Sequence, residues 1–557
     1  MSDRTRRFHP LLVGAIGGLA FGDLLLGLNL QTLGAFSALR LLSGGALCGL
    51  VVGVPLAFVR PRLDRPSRGA WILLALLAAG FALFVESQRL SFYSFLGNGA
   101  RRVLVATLLS LSAAAAVAIV SAVVQPGPES SLRTLLALLA LFLLVPLSGR
   151  PVPDRAKLGM PPQVPRAATR SLLVVGLEGI SWDLLVAGAS DGSLPVLARL
   201  LRDGAGGPLV SQAPYDRAAL WATVATGKRP AKHGVVSGVV WETLAGDLAI
   251  FPRFPGAAAP ERLPFSRARE MPGPRRSRTF WEILAVRGHQ AAILGWPEGK
   301  TNEEKMIDSE LPVWATRSTA SALPSPADRA RLFHVDVRQL DRLLVKALLP
   351  EGLSEAERAR AHPLEGAAHD LWVVGATLGS LPTGLNNVSA LVLSGLANPA
   401  RVFGPAAQPS RYWGSPPRNG DVRTRALRAY YRFLDETLGD LVEREGKDRT
   451  ICLFSPVGYG PPPPLQAITE FLKGREPEAS AEASADGFLV LCGSGIRSGV
   501  RLTSAVAADI APTLLVLAGE PIARDIDGRV LSEAFDERFS SSASIPIVTT
   551  FEAEGPQ

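Results

Sequence analysis

Two kinds of apolar pattern divide the chain. Between residues 11 and 148 the apolar residues come in long runs, at about 11–34, 38–59, 70–86, 102–125 and 131–148. Each run is near the roughly 20 residues that a helix needs to cross a bilayer. A cleaved leader would present a single apolar stretch of about 7–15 residues and stop. Five in succession predict an all-α transmembrane anchor over residues 1–148. Asp23 stands inside the first run. It reads either as a functional intramembrane carboxylate or as a residue packed between helices near a helix end.

Residues 149–170 are polar and proline-rich and read as a linker. Beyond them the apolar runs become short and alternate with helix-spaced segments. Leu172–Leu177, Gln290–Trp296, Asn387–Leu393, Thr450–Phe454 and Gly487–Cys492 read as buried strands. Helices are predicted near Ser193–Asp203, Phe280–Arg287, His362–Leu378 and Thr424–Glu443. This alternation predicts an α/β domain over 171–535, a mainly parallel sheet with helices on both faces. Inserts are expected near 243–278 and 300–360. The low-complexity stretch 474–486 is expected to be mobile, and the serine-rich tail 536–557 disordered.

Charge changes this picture little. The net charge of +8 is mostly scattered arginine, without the basic stripe and interleaved aromatics of a nucleic-acid surface. Cys48, Cys452 and Cys492 fall in apolar runs at no metal-ligand spacing and read as buried thiols. Arginine placement bears on orientation. Arg4, Arg6 and Arg7, with Arg60, Arg62, Arg65 and Arg68, favour a cytoplasmic N-terminus, whereas Arg89, Arg101 and Arg102, and the arginine-bearing stretch just after the fifth run, oppose it. Five spans with the N-terminus inside put the large domain on the non-cytoplasmic side.

One stretch carries a family resemblance. It runs SLLVVGLEGISWDLL, then SLPVLARLLRDGAGG, then WATVATGKRPAKHG, from Ser171 to Gly234. With TFWEILAVRGHQ at 279–290, DETLGDL at 435–441 and IAPTLLVLAGEPIARDIDGRVL at 510–531, it resembles the type I phosphodiesterase/nucleotide pyrophosphatase-like branch of the alkaline phosphatase superfamily. The resemblance implies a site at the carboxyl ends of the strands, where α/β sheets bind ligands. It also implies two divalent metals held by carboxylates and histidines, with a Ser or Thr nucleophile between them.

Position by position, the chemical residues differ from that pattern. Glu178 stands where the family's first metal-ligand Asp falls. The nucleophile slot before Trp221 holds Asp216 or Arg217, depending on a one-residue gap. After Leu391–Leu393 the chain reads SGLANPARVF, without the expected carboxylates and histidine. Ser455-Pro456-Val457-Gly458 replaces Ser-Asp-His-Gly, and Ala483–Asp486 lacks the last histidine. His289, in a glycine turn, is expected to face solvent.

Three readings follow. The first is a membrane-anchored, catalytically degenerate relative with a binding or scaffolding role and no metal cofactor. Arg217, Lys228 and Lys232 would serve an anion, and the partner would be a phosphorylated lipid, a glycan or a protein. The second is an active metal-dependent phosphodiesterase, phosphohydrolase or phosphotransferase with an atypical site and zinc or another divalent cation. There Asp216 would attack and Glu178 would hold metal. The third places the function in the membrane helices, around Asp23.

Overall fold

The computed structural model describes residues 3–30, 68–149, 170–211, 215–243, 246–252, 267–270, 275–297, 341–379, 387–407, 421–445, 449–462, 478–537 and 545–552, with a few residues between them. The chain forms two compact units. One comprises Met1–Arg155 with Pro230–Pro274, the other Ala156–Arg229 with Arg275–Gln557.

The first unit is a helical bundle. Among the described residues it has helices α1 (Asp3–Asn29), α2 (Arg68–Ser91), α3 (Asn98–Val124) and α4 (Pro128–Leu144). All four have stretches long and apolar enough to cross a membrane. The predicted segment 38–59 lies largely outside the described residues. Leu73, Leu76, Leu77 and Leu83 of α2 are exposed, as expected of side chains facing lipid tails. The end of α1, the start of α3 and the exit from α4 meet at one end of the bundle. There a Cβ on Gly149 would fall 3.0 Å from Leu30 and 3.6 Å from the Gly99 carbonyl. A short turn joins α2 to α3, so α1, α2 and α4 all end on this side and α3 begins there.

The segment 230–274, inserted in sequence within the α/β domain, belongs to the same unit. Its three-stranded antiparallel sheet orders Gly246–Leu248, Val239–Thr243 and Arg267–Glu270. Asn29, fully buried at the end of α1, fastens this segment. Its Nδ2 donates to the Leu25 and Ile250 carbonyls (3.0 and 2.8 Å), and its Oδ1 accepts from Ala249 and Ile250 N–H (both 2.8 Å). Both donors and both acceptor sites of the carboxamide are therefore satisfied. The Ala231 N–H adds a bond to the Ser94 carbonyl in the α2–α3 turn.

The second unit is built on an eight-stranded sheet. Its strands are β1 (Leu172–Leu177), β2 (Ala205–Val210), β3 (Gln290–Leu294), β4 (Asn387–Leu393), β5 (Thr450–Ser455), β8 (Gly487–Cys492), β9 (Val500–Arg501) and β10 (Ala505–Val506). The order is β9-β2-β8-β5-β1-β4-β3, with β10 also on β2. Only β8 runs antiparallel, against β2 and β5; the other pairings are parallel. Alternate residues of β1 feed two separate cores, Leu172 and Val174 on one face, Leu173, Val175 and Leu177 on the other. Both faces are covered, which is why these strands read as continuous apolar runs.

Besides the short helices Arg342–Leu348 and Glu355–Ala361, its helices include α5 (Trp182–Ser190), α6 (Pro195–Asp203), α7 (Arg217–Thr226), α8 (Phe280–Val286), α9 (Pro363–Gly379), α10 (Ala397–Ala407), α11 (Val422–Glu445) and α12 (Ile510–Leu517). Helices α7, α8 and α12 cover the first face; α6, α9, α10 and α11 cover the second. Asp435 of α11 caps α6 from a distance, accepting from Val196 and Leu197 N–H at 2.9 Å each.

Two segments depart from expectation. Within the stretch expected to be mobile, Ser480–Ala485 forms β7, antiparallel to β6 (Gly458–Gly460). The tail is not disordered over its described part. Ile547–Val548 (β12) pairs in parallel with Ile522–Ala523 (β11), and Phe551 is buried in the first core. Apolar anchors spaced along a serine-rich tail hold it, and composition alone hides them. The linker 149–170 and most of the insert 300–360 lie outside the described residues.

Candidate functional site

The site grows from the end of β1. Glu178 follows the last strand residue, its N–H bonds the Leu393 carbonyl at the end of β4, and only 1% of its surface is exposed. Gly179 turns the chain at φ +99°, and a Cβ there would meet the Tyr459 ring at 3.0 Å and Ala400 at 3.3 Å. Only glycine takes this conformation cheaply, and it lets Tyr459 close over the strand end.

Helix α7 supplies the second half. Asp216 is its N-cap, with Oδ1 accepting from the Ala219 N–H at 2.9 Å. One turn into the helix, Trp221 packs against the back of β1. A Cβ on Gly176 would sit 2.7 Å from its ring, and Trp296 and Phe454 close around it. This seating aims the first helical residue, Arg217, at Glu178. Its Nε and Nη2 each lie 2.8 Å from a different Glu178 oxygen. The geometry is the two-pronged fork that guanidinium and carboxylate form best. Burial alone would lower the Arg217 guanidinium, but the carboxylate outweighs it and raises it above the ordinary arginine range. Tyr215 stands beside the pair, its phenol pushed up by desolvation and then by Glu178.

The neighbouring loops are equally committed. Gly395, after β4, is held by Asp370, whose buried carboxylate accepts its N–H and the Tyr430 hydroxyl at 3.0 Å each. The Ser455 hydroxyl donates to the Val457 carbonyl within its own turn. Asp486, just before β8, accepts the Ser211 N–H at 3.0 Å. A shallow, mostly apolar recess adjoins the pair, lined by Gly179, Leu184, Ala400, Leu427, Tyr431 and Tyr459 among others.

The structure thus brings Glu178, Asp216 and Arg217 together. Lys228 is 3% exposed and clamped by Asp525 (2.6 Å) and Glu552 (2.7 Å). That corrects its expected role toward an anion, since its charge is already matched inside the fold. Lys232 belongs to the other unit. His289 does not face solvent either. It is fully buried, with Nε2 2.8 Å from Glu520, whose other oxygen takes Arg287. Burial pushes the Cys452 thiol up, and that of Cys492 up to about 12, so both stay protonated and unreactive.

Residues 172–472 match the family described as type I phosphodiesterase / nucleotide pyrophosphatase. The match spans more than half of the chain, and the chain belongs to this family. No curated protein sequence matches it. Among solved structures it is similar to the alkaline phosphatase PafA, with 12% identity over 67% of this chain and 100% of that one and a TM-score of 0.42. A putative sulfatase from Bacteroides thetaiotaomicron shares 12% identity over 66% and 74% of the two chains, TM-score 0.39. Murine ectonucleotide pyrophosphatase/phosphodiesterase 5 shares 12% over 66% and 100%, TM-score 0.33.

Members of the family use zinc or another divalent metal. The residues present here do not fit such a pair of ions. Both Glu178 oxygens are engaged by Arg217, Asp216 caps a helix, and no three His, Cys, Asp or Glu side chains converge among the described residues. Two adjacent cations need several anionic or imidazole ligands.

Proposed function

We propose that the chain is a membrane-anchored, catalytically degenerate member of its family, whose cleft binds or scaffolds rather than hydrolyses. The observation that carries this reading is the Arg217–Glu178 fork. A guanidinium lies in the nucleophile slot and grips the residue at the first metal-ligand position. One positive group thus neutralises the carboxylate that a metal would otherwise bind, and it supplies neither a Lewis acid nor a nucleophile. The mostly apolar recess beside Tyr459 is the surface left for a partner, which we take to be a phosphorylated lipid, a glycan or a protein.

The bundle's geometry supports a non-cytoplasmic domain. Arg4, Arg6, Arg7 and Arg68 lie on the first turns of α1 and α2, at the end opposite the insert. Arg89, Arg101 and Arg102 lie at the insert end, where Gly149 leaves the bundle. Arg150 and Arg155 follow Gly149 in sequence, so arginine is not concentrated at one end, and the reading rests on Arg4, Arg6 and Arg7 at the N-terminus.

The test is elemental mass spectrometry on the full chain purified in detergent after incubation with zinc and manganese, paired with a phosphodiester hydrolysis assay. We expect metal close to zero per chain and no turnover. One or two tightly bound ions per chain, or hydrolysis abolished by Glu178→Gln, would overturn the reading.

A further inference from the structure

Among the described residues, the apolar interior of the bundle holds one ionisable side chain. Asp23 on α1 has no exposed surface, and neither of its carboxylate oxygens has a hydrogen-bond partner. Among the described residues α1 packs mainly against α3 and α4, and Phe21, two residues before Asp23, meets Phe81 of α2 with ring centroids 6.5 Å apart. Helix α3 has no titratable residue from Val103 to Val124, and α4 has none from Thr134 to Leu144. The charged groups on these helices stand at their starts: Arg101 and Arg102 on α3, Glu129 and Arg133 on α4. Arg101 is itself engaged, stacked 3.7 Å over the Tyr93 ring and donating to the Tyr93 carbonyl at 2.9 Å. On α2, Glu86 and Arg89 pair with each other. One turn beyond Asp23, Gly27 packs directly against Leu104 and Val103. The buried Thr107 hydroxyl, one turn further along α3, donates to the Val103 carbonyl.

An ionised carboxylate that is fully buried and whose oxygens have no hydrogen-bond partner is heavily penalised. Asp23 has no exposed surface, so the ligand that relieves the penalty is as small as a proton. We propose that Asp23 is a proton-binding site, carrying a neutral carboxyl group in the folded bundle. Its position gives the proton a mechanical lever. Six residues on, the same helix ends in Asn29, whose carboxamide holds the insert through three hydrogen bonds. A charge appearing at Asp23 would displace α1 and act on that fastening.

The experiment is infrared spectroscopy of the full-length protein reconstituted in lipid, comparing wild type with Asp23→Asn and Asp23→Glu. A protonated carboxyl in an apolar site gives a carbonyl stretch separate from carboxylate and amide bands, and it shifts in heavy water. Wild type should show that band, Asp23→Asn should lose it, and Asp23→Glu should keep it at a moved frequency. Superimposable wild-type and Asp23→Asn spectra in this region would overturn the proposal, because Asp23 would then be ionised. Neither outcome bears on the Glu178 cleft, so the two readings fail independently.

Discussion

Replacing Arg217 with alanine removes one partner of a nearly buried ion pair and leaves Glu178, 1% exposed, facing an apolar strand end. Breaking a fully buried pair in this way costs about 3–5 kcal/mol. The Arg217 side chain is 27% exposed, and water reaching that side screens part of the loss, which brings the expected cost to roughly 2–3 kcal/mol. In a unit of this size about 1 kcal/mol moves the melting temperature by roughly 1–2 °C, so Arg217→Ala should melt about 2–6 °C lower. Glu178→Gln retains a neutral acceptor and should cost less. In the double variant the buried charge is gone, so the two losses should not add, leaving a coupling of roughly 0.5–3 kcal/mol. The assay is thermal unfolding of the full chain in detergent, with zinc and with a chelator. A metal-held site behaves oppositely: zinc would raise the wild-type melting temperature and the chelator would lower it. Unchanged melting of Arg217→Ala, or zinc-dependent melting of wild type, would refute the argument.

The tail offers a second test. Burial alone would raise the Glu552 carboxyl, but Lys228 beside it outweighs that and brings it below the ordinary glutamate range. A carboxylate lowered on folding stabilises above its unfolded pKa, and that stability is lost as pH falls through the folded value. Wild type should therefore lose more stability on acidification below about pH 4 than Glu552→Gln, as read by melts across pH. Phe551→Ala, which empties a buried aromatic site, should cost about 3–5 kcal/mol in denaturant titration. Asp435→Ala should cost roughly 1–3 kcal/mol by leaving the Val196 and Leu197 N–H groups without their acceptor, whereas Asp435→Asn should retain part of it. Asn29→Ala strips the acceptor from the Ala249 and Ile250 N–H groups. A cysteine placed at buried Leu248 should then react faster with maleimide than in the wild-type background.

The strands β1, β4, β5 and β8 were legible because each is buried on both faces and therefore continuously apolar. Strand β2, Ala-Gly-Gly-Pro-Leu-Val, was not. Its signal is the absence of side chains, since a Cβ on Gly207 would lie 1.9 Å from the Leu502 carbonyl. Helix α10 was hidden by Pro399 and Pro405, which argue against a helix in any local reading. In the site, the altered residues could be read from the chain, but their relationship could not. Glu178 and Arg217 stand 39 residues apart, and only the packing of Trp221 on Gly176 turns one toward the other. The choice between Asp216 and Arg217 for the slot is likewise geometric, because the N-cap takes Asp216 and leaves Arg217 to face Glu178. His289 and Lys228 look like free polar groups in sequence. Their partners, Glu520, Asp525 and Glu552, come from more than 200 residues away.

The fastening between Asn29 and Ile250 joins residues 221 positions apart, and this sets an order on biosynthesis. At roughly 5–20 residues per second, α1 leaves the ribosome about 10–45 s before its partner segment exists. Over that interval the Asn29 carboxamide has neither Ala249 nor Ile250 to bond. Insertion of the helices must therefore precede completion of the unit they belong to, which waits until part of the α/β domain has been translated. A nascent chain arrested before residue 249 carries α1 with the Asn29 carboxamide unfastened. Quality control acting on exposed polar groups in the membrane would detect that state before any defect in the α/β domain could arise.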